Sequence, residues 1–458
     1  MLRTCLTILV LAVSAVGFSA EPGNDALDAI VGLLQEKDPE FRSLGLEQVR
    51  TEAKGTAATE RFAALLPKLA PDARAALLGA LADRGDAAAR PAALEQVKSE
   101  EPAVREAALR ALGMLGSPAD VPLLVGFLAS KSEGERKAVV AALGRIRSPE
   151  VNVAMAAEIK RAEPAVRIAL IQVLAVRRAL DQMPAILAAA QDGDPKVRAA
   201  ALQAIGELGK PEQIAPLLTL LSSVTDEAQR REIERAILAI TGRIADVKAQ
   251  ADPLLAYYEG LDEAKKAALL PTLARVGGPK VLKMVEAAIA DSDPTRREAG
   301  MKALCNWPDS SVGPQLLELA RTAAEPRHRE MALAALIRVA PLPDKRPAVQ
   351  KLQLLQAAMK LAPRLEDRKL VLKRAPAIRT IETLRWAAGY LDDPELGQES
   401  CATIVELAHH RGLREPNNAE FGKLLDRVIA MSKDAVIVER AKRYKVGQTY
   451  KRGEPAKE

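Results

Sequence analysis

A chain of 458 residues, 48% apolar and 28% charged but only 3% aromatic, is long enough for two or three ordinary domains or for one extended array. Its apolar residues are mainly Ala, Leu, Val and Ile. Ala and Leu head the helix-propensity scale, and so few rings argue against the thick core of a large globular enzyme. The net charge of +6 is uneven: residues 341–458 hold 23 Lys/Arg against 16 Asp/Glu, so the basic character belongs to the C-terminal quarter.

The first element is unlike the rest. MLRT carries one positive charge at Arg3, CLTILVLAVSAVGF runs uncharged from Cys5 to Phe18, and SAEPG follows. A short basic start, a fourteen-residue apolar stretch and small residues before a polar switch describe a secretory signal peptide. Gly17 and Ser19 are small at alternate positions, which favours cleavage after Ser19 over Ala20. The reading is an exported protein, periplasmic or extracellular. No later run is long and apolar enough to span a bilayer. Cys305 and Cys401 then remain.

From Asp38 onward one phrase recurs. DPEFR at Arg42, APDAR at Arg74, EPAVR at Arg105, EGERK at Arg136, EPAVR at Arg167 and DPKVR at Arg198 are spaced by 32, 31, 31, 31 and 31 residues. Arg230, Lys266, Arg297 and Arg329 continue the series, and Arg368 is a weaker copy. A fixed period in this range marks a repeat architecture. In DPKVRAAALQAIGELG, Asp194 suits an N-cap and Pro195 the first helical position. Val197, Ala200, Ala201, Ala204, Ile205 and Leu208 then fall at helical spacing. Gly209 closes the helix, and Pro211 opens the segment PEQIAPLLTLL that supplies the other helix of a pair. Strand signals are absent. The sequence therefore predicts an all-α solenoid: a superhelical array of about ten to twelve antiparallel helix pairs with a period of about 31 residues.

The phrase D/E-P-x-V-R-x-x-A-L-x-A-L-G, followed by a Pro-started second helix, resembles the HEAT-repeat family, in particular the short bacterial HEAT-like type first recognised in bilin lyases. The resemblance is good over Asp38 to Ala340 and looser from Pro341 to Val438. The expected organisation is a signal peptide (1–20), a regular array (21–340), degenerate repeats (341–440) and a basic flexible tail (441–458). The resemblance implies a protein-binding scaffold in which the helix formed by the repeated phrase, taken as the second of each pair, lines a concave face.

The recurrent charges fit a structural ladder, with an acid at each helix start and an Arg four residues on. Asp194 with Arg198 and Asp293 with Arg297 are the clearest pairs; Glu101 with Arg105 and Glu163 with Arg167 are analogues. Catalytic signals are missing. His409 and His410 are adjacent and diverge by about 100° on a helix, His328 stands alone, and no zinc-helix, P-loop or nucleophile-elbow motif occurs. No catalytic residue, metal site or cofactor is expected. The two cysteines lie about three repeats apart, too far for a disulfide. Trp307, before Pro308, reads as the cover of a repeat junction. The C-terminal RAKRYKVGQTYKRGEPAKE combines seven Lys/Arg with Tyr444 and Tyr450, a mixture able to stack on single-stranded nucleic acid, but export makes that partner unexpected.

One position five residues after each repeat arginine varies: Arg110, Gln172, Gln203, Arg235 and Lys302. A varied residue on a constant scaffold suits recognition of a protein partner. The expected function is thus an exported, non-enzymatic scaffold. The alternatives are a binder of envelope polyanion or polysaccharide, or a bilin-lyase-like enzyme holding a cofactor. The sequence sets neither the partner nor the oligomeric state.

Overall fold

A computed structural model describes residues 24–52 and 54–450. The expected signal peptide and the last residues of the tail, 451–458, lie outside the described residues. Among those described, every regular element is helical and no strand occurs. Among the described residues no helix is long and apolar enough to cross a membrane. The contacts divide the chain into two compact units. Of the described residues, one holds those up to 213 and 226–236; the other holds 214–225 and those from 237 onward.

In the first unit the repeated phrase forms the helices Pro39–Thr51, Pro71–Arg84, Pro102–Leu115, Glu133–Arg145, Pro164–Val176 and Pro195–Leu208. Each packs on the next. Shorter helices alternate with them, such as Arg90–Gln96, Val121–Phe127, Glu150–Ile159 and Met183–Ala189, and each of these four packs on the phrase helix that follows it. The second unit repeats the scheme with Glu263–Val276, Pro294–Cys305, Pro326–Val339, Leu365–Arg374, Gly397–His409 and Ala435–Lys445 stacked in turn. Within each unit this is α-solenoid packing, in which each layer buries its apolar surface against its neighbours.

The helix Pro195–Leu208 shows why the sequence folds this way. Asp194 has extended backbone, and its carboxylate accepts from the amides of Lys196 and Val197 at 2.7 and 3.2 Å. Those amides have no partner inside the helix. Val197, Ala201, Ala204 and Ile205 are buried as the spacing predicts, but so is Leu202, while Ala200 and Leu208 are only half-buried. A helix with a neighbour on either side buries more than one stripe. Gly209 ends the helix as expected, yet at φ −58, so the left-handed freedom of glycine is not used there.

The C-terminal boundary is corrected. Residues 441–445 complete the helix Ala435–Lys445, and Tyr444 sits in the last core cluster with Phe421, Leu425 and Val428. Tyr444 and Tyr450 stack with arginines of the same segment: Arg414 and Arg440 lie 5.3 and 5.7 Å from the Tyr444 ring, and Arg443 lies 5.6 Å from that of Tyr450. Described residues as far as Tyr450 thus belong to the folded layer, held by apolar burial and cation–π contact.

Candidate functional site

Arg105, Arg167, Arg198 and Arg297 take partners other than the acid four residues earlier. Arg74, Arg105, Arg136, Arg198, Arg297 and Arg329 instead reach back over the loop before their own helix. Arg105 Nη1 donates to the carbonyls of Ser99 and Glu100, both at 2.9 Å. Arg198 does the same to Asp192 and Gly193 at 2.9 and 3.0 Å, Arg297 to Asp291 and Ser292, and Arg329 to Ala323 and Ala324. These carbonyls follow the preceding helix and have few other partners. The guanidinium, a rigid fork of donors, therefore fixes the turn inside one repeat. The expected Asp194–Arg198 and Asp293–Arg297 pairs are replaced by two separate jobs, since Asp293 caps Thr295 and Arg296. Glu101 and Glu163 make no cap bond, consistent with a side chain one methylene too long for the N-cap geometry.

Bonds one repeat away do exist, as the ladder reading allowed, but from different acids. Arg105 Nε meets Glu135 at 2.6 Å and Arg167 meets Asp192 at 2.5 Å. On the shorter helices Arg90 grips Asp120 through two bonds, at 2.8 and 2.5 Å. Glu135 and Asp120 are buried, and both carboxyls sit below their ordinary range. For Glu135 the Ser130 hydroxyl is the main cause, with Arg105 adding to it against the opposing cost of burial. For Asp120 burial pushes upward, and the Arg90 and Ser117 hydrogen bonds outweigh it.

A second arginine set was not visible in the repeated phrase. Arg177, just past the helix Pro164–Val176, donates to the carbonyls of Leu143, Ile146 and Ser148 at 2.9, 2.8 and 3.0 Å, and to Asn152 at 2.6 Å. Arg84 holds Val49, Glu52 and Thr59 in the same way, and Arg338 holds Cys305 and Trp307. These bind the carbonyl end of one phrase helix to the end of the next. The available signal was an Arg in the last turn, nine or ten residues after the repeat arginine. It is irregular enough to pass for a solvated charge.

With the arginines occupied internally, the variable row is what remains outside. Arg110, Gln172, Gln203, Arg235 and Lys302 are all exposed. Four lean on acids of their own helix: Arg110 on Glu106 at 3.5 Å, Gln203 on Glu207 at 2.9 Å, Arg235 on Glu232 at 3.8 Å and Lys302 on Glu298 at 3.3 Å. Exposed pairs of this kind contribute about 0–1 kcal/mol, so they yield readily to a partner. In the Arg136 repeat the same position is Ala141. It lines an open groove of about 540 Å³ with Leu128, Val140, Ala165 and Ala169, and Lys137 stands on its wall.

The remaining candidates are structural. His328 is buried and hydrogen-bonded to Glu298 at 2.7 Å. His409 Nδ1 lies 2.9 Å from the Tyr444 hydroxyl. Cys305 and Cys401 are both free thiols; burial pushes Cys305 up to about 12 and also raises Cys401. Trp307 is buried, with its indole N–H on Ser311 at 3.0 Å. Among the described residues no group of His, Cys, Asp and Glu is placed to hold a metal ion.

The HEAT-repeat family profile matches residues 59–144 and 152–239. These two stretches of the chain therefore carry HEAT repeats. No curated protein matches its sequence. Among solved structures, Kap121p bound to Pho4p aligns with a TM-score of 0.49 at 14% identity, over 96% of this chain and 55% of that one. Importin beta aligns with a TM-score of 0.40 at 15% identity, over 92% of this chain and 60% of that one. The chain spans little more than half the length of these solenoids.

Proposed function

We propose that this chain is an exported, non-enzymatic scaffold that binds a protein partner through the exposed faces of its phrase helices. The observation that carries the reading is the division of labour within each repeat. Most arginines at the constant positions are consumed by backbone carbonyls of their own repeat, whereas the position five residues on is exposed and changes from repeat to repeat. A fixed frame with a varied outward row suits recognition of another macromolecule. Export rests on the Cys5–Phe18 apolar run and the small residues that follow it.

The test is affinity capture from the producing cell's envelope, using the mature protein and a Gln172→Glu/Gln203→Glu/Arg235→Glu variant. The reading expects a protein retained by the first and lost from the second. Retention of glycan without protein would sink it. Intact-mass analysis of the exported chain should place its first residue at Ala20. A mass that includes residues 1–19 would refute export by this signal.

A further inference from the structure

The groove beside Val140 is a repeat junction that the chain leaves unfilled. The position four residues after the repeat arginine is normally core: Leu78, Leu109 and Ile171 are 0% exposed and Leu202 is 2%. Val140 occupies that position and is 42% exposed. The glycines tell the same story. Gly113 and Gly144 are equivalent, eight residues past Arg105 and Arg136. A Cβ on Gly113 would lie 3.0 Å from Ala142 Cα, because the helices Pro102–Leu115 and Glu133–Arg145 are in close contact. A Cβ on Gly144 would meet nothing within 4 Å. The next helix turns Ala165 and Ala169 to this gap, side chains too short to close it. Val176, about two turns beyond Ala169 on the same helix, is 79% exposed.

The surroundings are basic. The groove's charged lining is Arg136 and Lys137 against the single acid Glu133, and residues 131–178 around it hold ten Lys/Arg against five Asp/Glu, with Arg136, Arg161, Arg167 and Arg177 among them bound to Ser130, Glu158, Asp192 and backbone carbonyls. Lys137 stands on the groove wall and is bound only to the exposed Glu133, at 2.6 Å.

We infer that this groove takes an acidic amphipathic segment of a protein partner, which seats its apolar side chains on Val140, Ala141 and Ala169 and sets its carboxylates against Lys137 and the neighbouring cations. The inference rests on the scaffold reading above and names the chemistry of the partner at one site. Apolar spacing at i and i+3 or i+4 would match a groove between two helices, and the charge excess would select the sign of the flanking residues. The groove lies on the variable row, since Ala141 is that row's member in this repeat.

The test uses a random 16-residue peptide library displayed on phage, selected on the mature protein in parallel with Val140→Glu and Lys137→Glu variants. Both positions are exposed, so both variants should melt with the parent. Peptides enriched on the parent should carry apolar residues at helical spacing and a net negative charge. They should lose at least tenfold in affinity on Val140→Glu, and several-fold, with weaker salt dependence, on Lys137→Glu. Three results would overturn the inference: no enrichment, enrichment of basic peptides or of acidic peptides without apolar residues, or equal binding to Val140→Glu. None of them touches the scaffold reading, which the envelope capture decides on its own.

Discussion

Arg177 and Leu143 stand 34 residues apart and are joined by a hydrogen bond of 2.9 Å from the guanidinium Nη1 to the carbonyl oxygen. The same side chain holds Ile146, Ser148 and Asn152, so one residue gathers the end of one repeat helix and the start of the next short one. Burial lowers its pKa, with Asp181 opposing. Replacing it with Leu strands several carbonyls and should cost about 2–4 kcal/mol in stability. Arg177→Lys should recover only part of this, because an ammonium cannot reproduce the fork. Urea unfolding followed by circular dichroism reads the difference. A loss under about 0.5 kcal/mol for Arg177→Leu, the range of an ordinary surface change, would contradict the clamp.

The Asp120 carboxylate gives the fold an acid limit. Its folded pKa is depressed, because the bonds from Arg90 and Ser117 outweigh burial. A depressed carboxylate contributes stability that is present above its unfolded pKa, about 3.9. That stability disappears as pH falls through the folded value. Asp120→Asn should therefore lower the urea midpoint at pH 7, and the gap between the two proteins should shrink as pH falls through the folded pKa of Asp120. A gap that stays constant as pH falls would show that the loss is one of shape rather than charge.

Two glycines at equivalent positions should respond with opposite signs. Gly113→Ala forces a methyl to within 3.0 Å of the Ala142 backbone and should destabilise, since a packed junction resists added volume. Gly144→Ala meets open space and should stabilise by up to about 1 kcal/mol through helix propensity. Melting temperatures of the two variants decide it. The same sign in both would mean that the two junctions are packed alike.

Cys305 should be slow to alkylate in the folded protein at pH 8, because burial pushes its thiol up to about 12 and the thiolate is the reactive form. Iodoacetamide with peptide mass spectrometry should show Cys305 modified only after denaturant is added. Full labelling within minutes in native buffer would contradict the burial.

The period and helix starts of this protein were legible because each repeat meets the same problem with the same residues. Asp194 caps because its short carboxylate reaches the free amides, and Pro195 follows it for want of an N–H. The partners of the arginines were not legible. A spacing of four residues on a helix suggested Asp194–Arg198, but Asp194 is committed to the helix start, and the guanidinium is long enough to reach carbonyls five and six residues earlier. The Val140 groove was hidden for a related reason. Its residues keep the apolar pattern of every other repeat, and the gap comes from how far the next helix stands off, which no local spacing encodes. Tyr444 and Tyr450 read as stacking groups by composition, but their faces are taken by arginines of the folded chain.

The central claim is that a protein partner is recognised on the variable row. It is tested most directly by a photo-crosslinking amino acid placed at Gln172 or Gln203 in the producing cell, with Ala157 and Ala188 as exposed controls on the shorter helices. The account predicts a discrete protein adduct from both row positions and none from the controls. Adducts from the controls alone, or from no position, would contradict it.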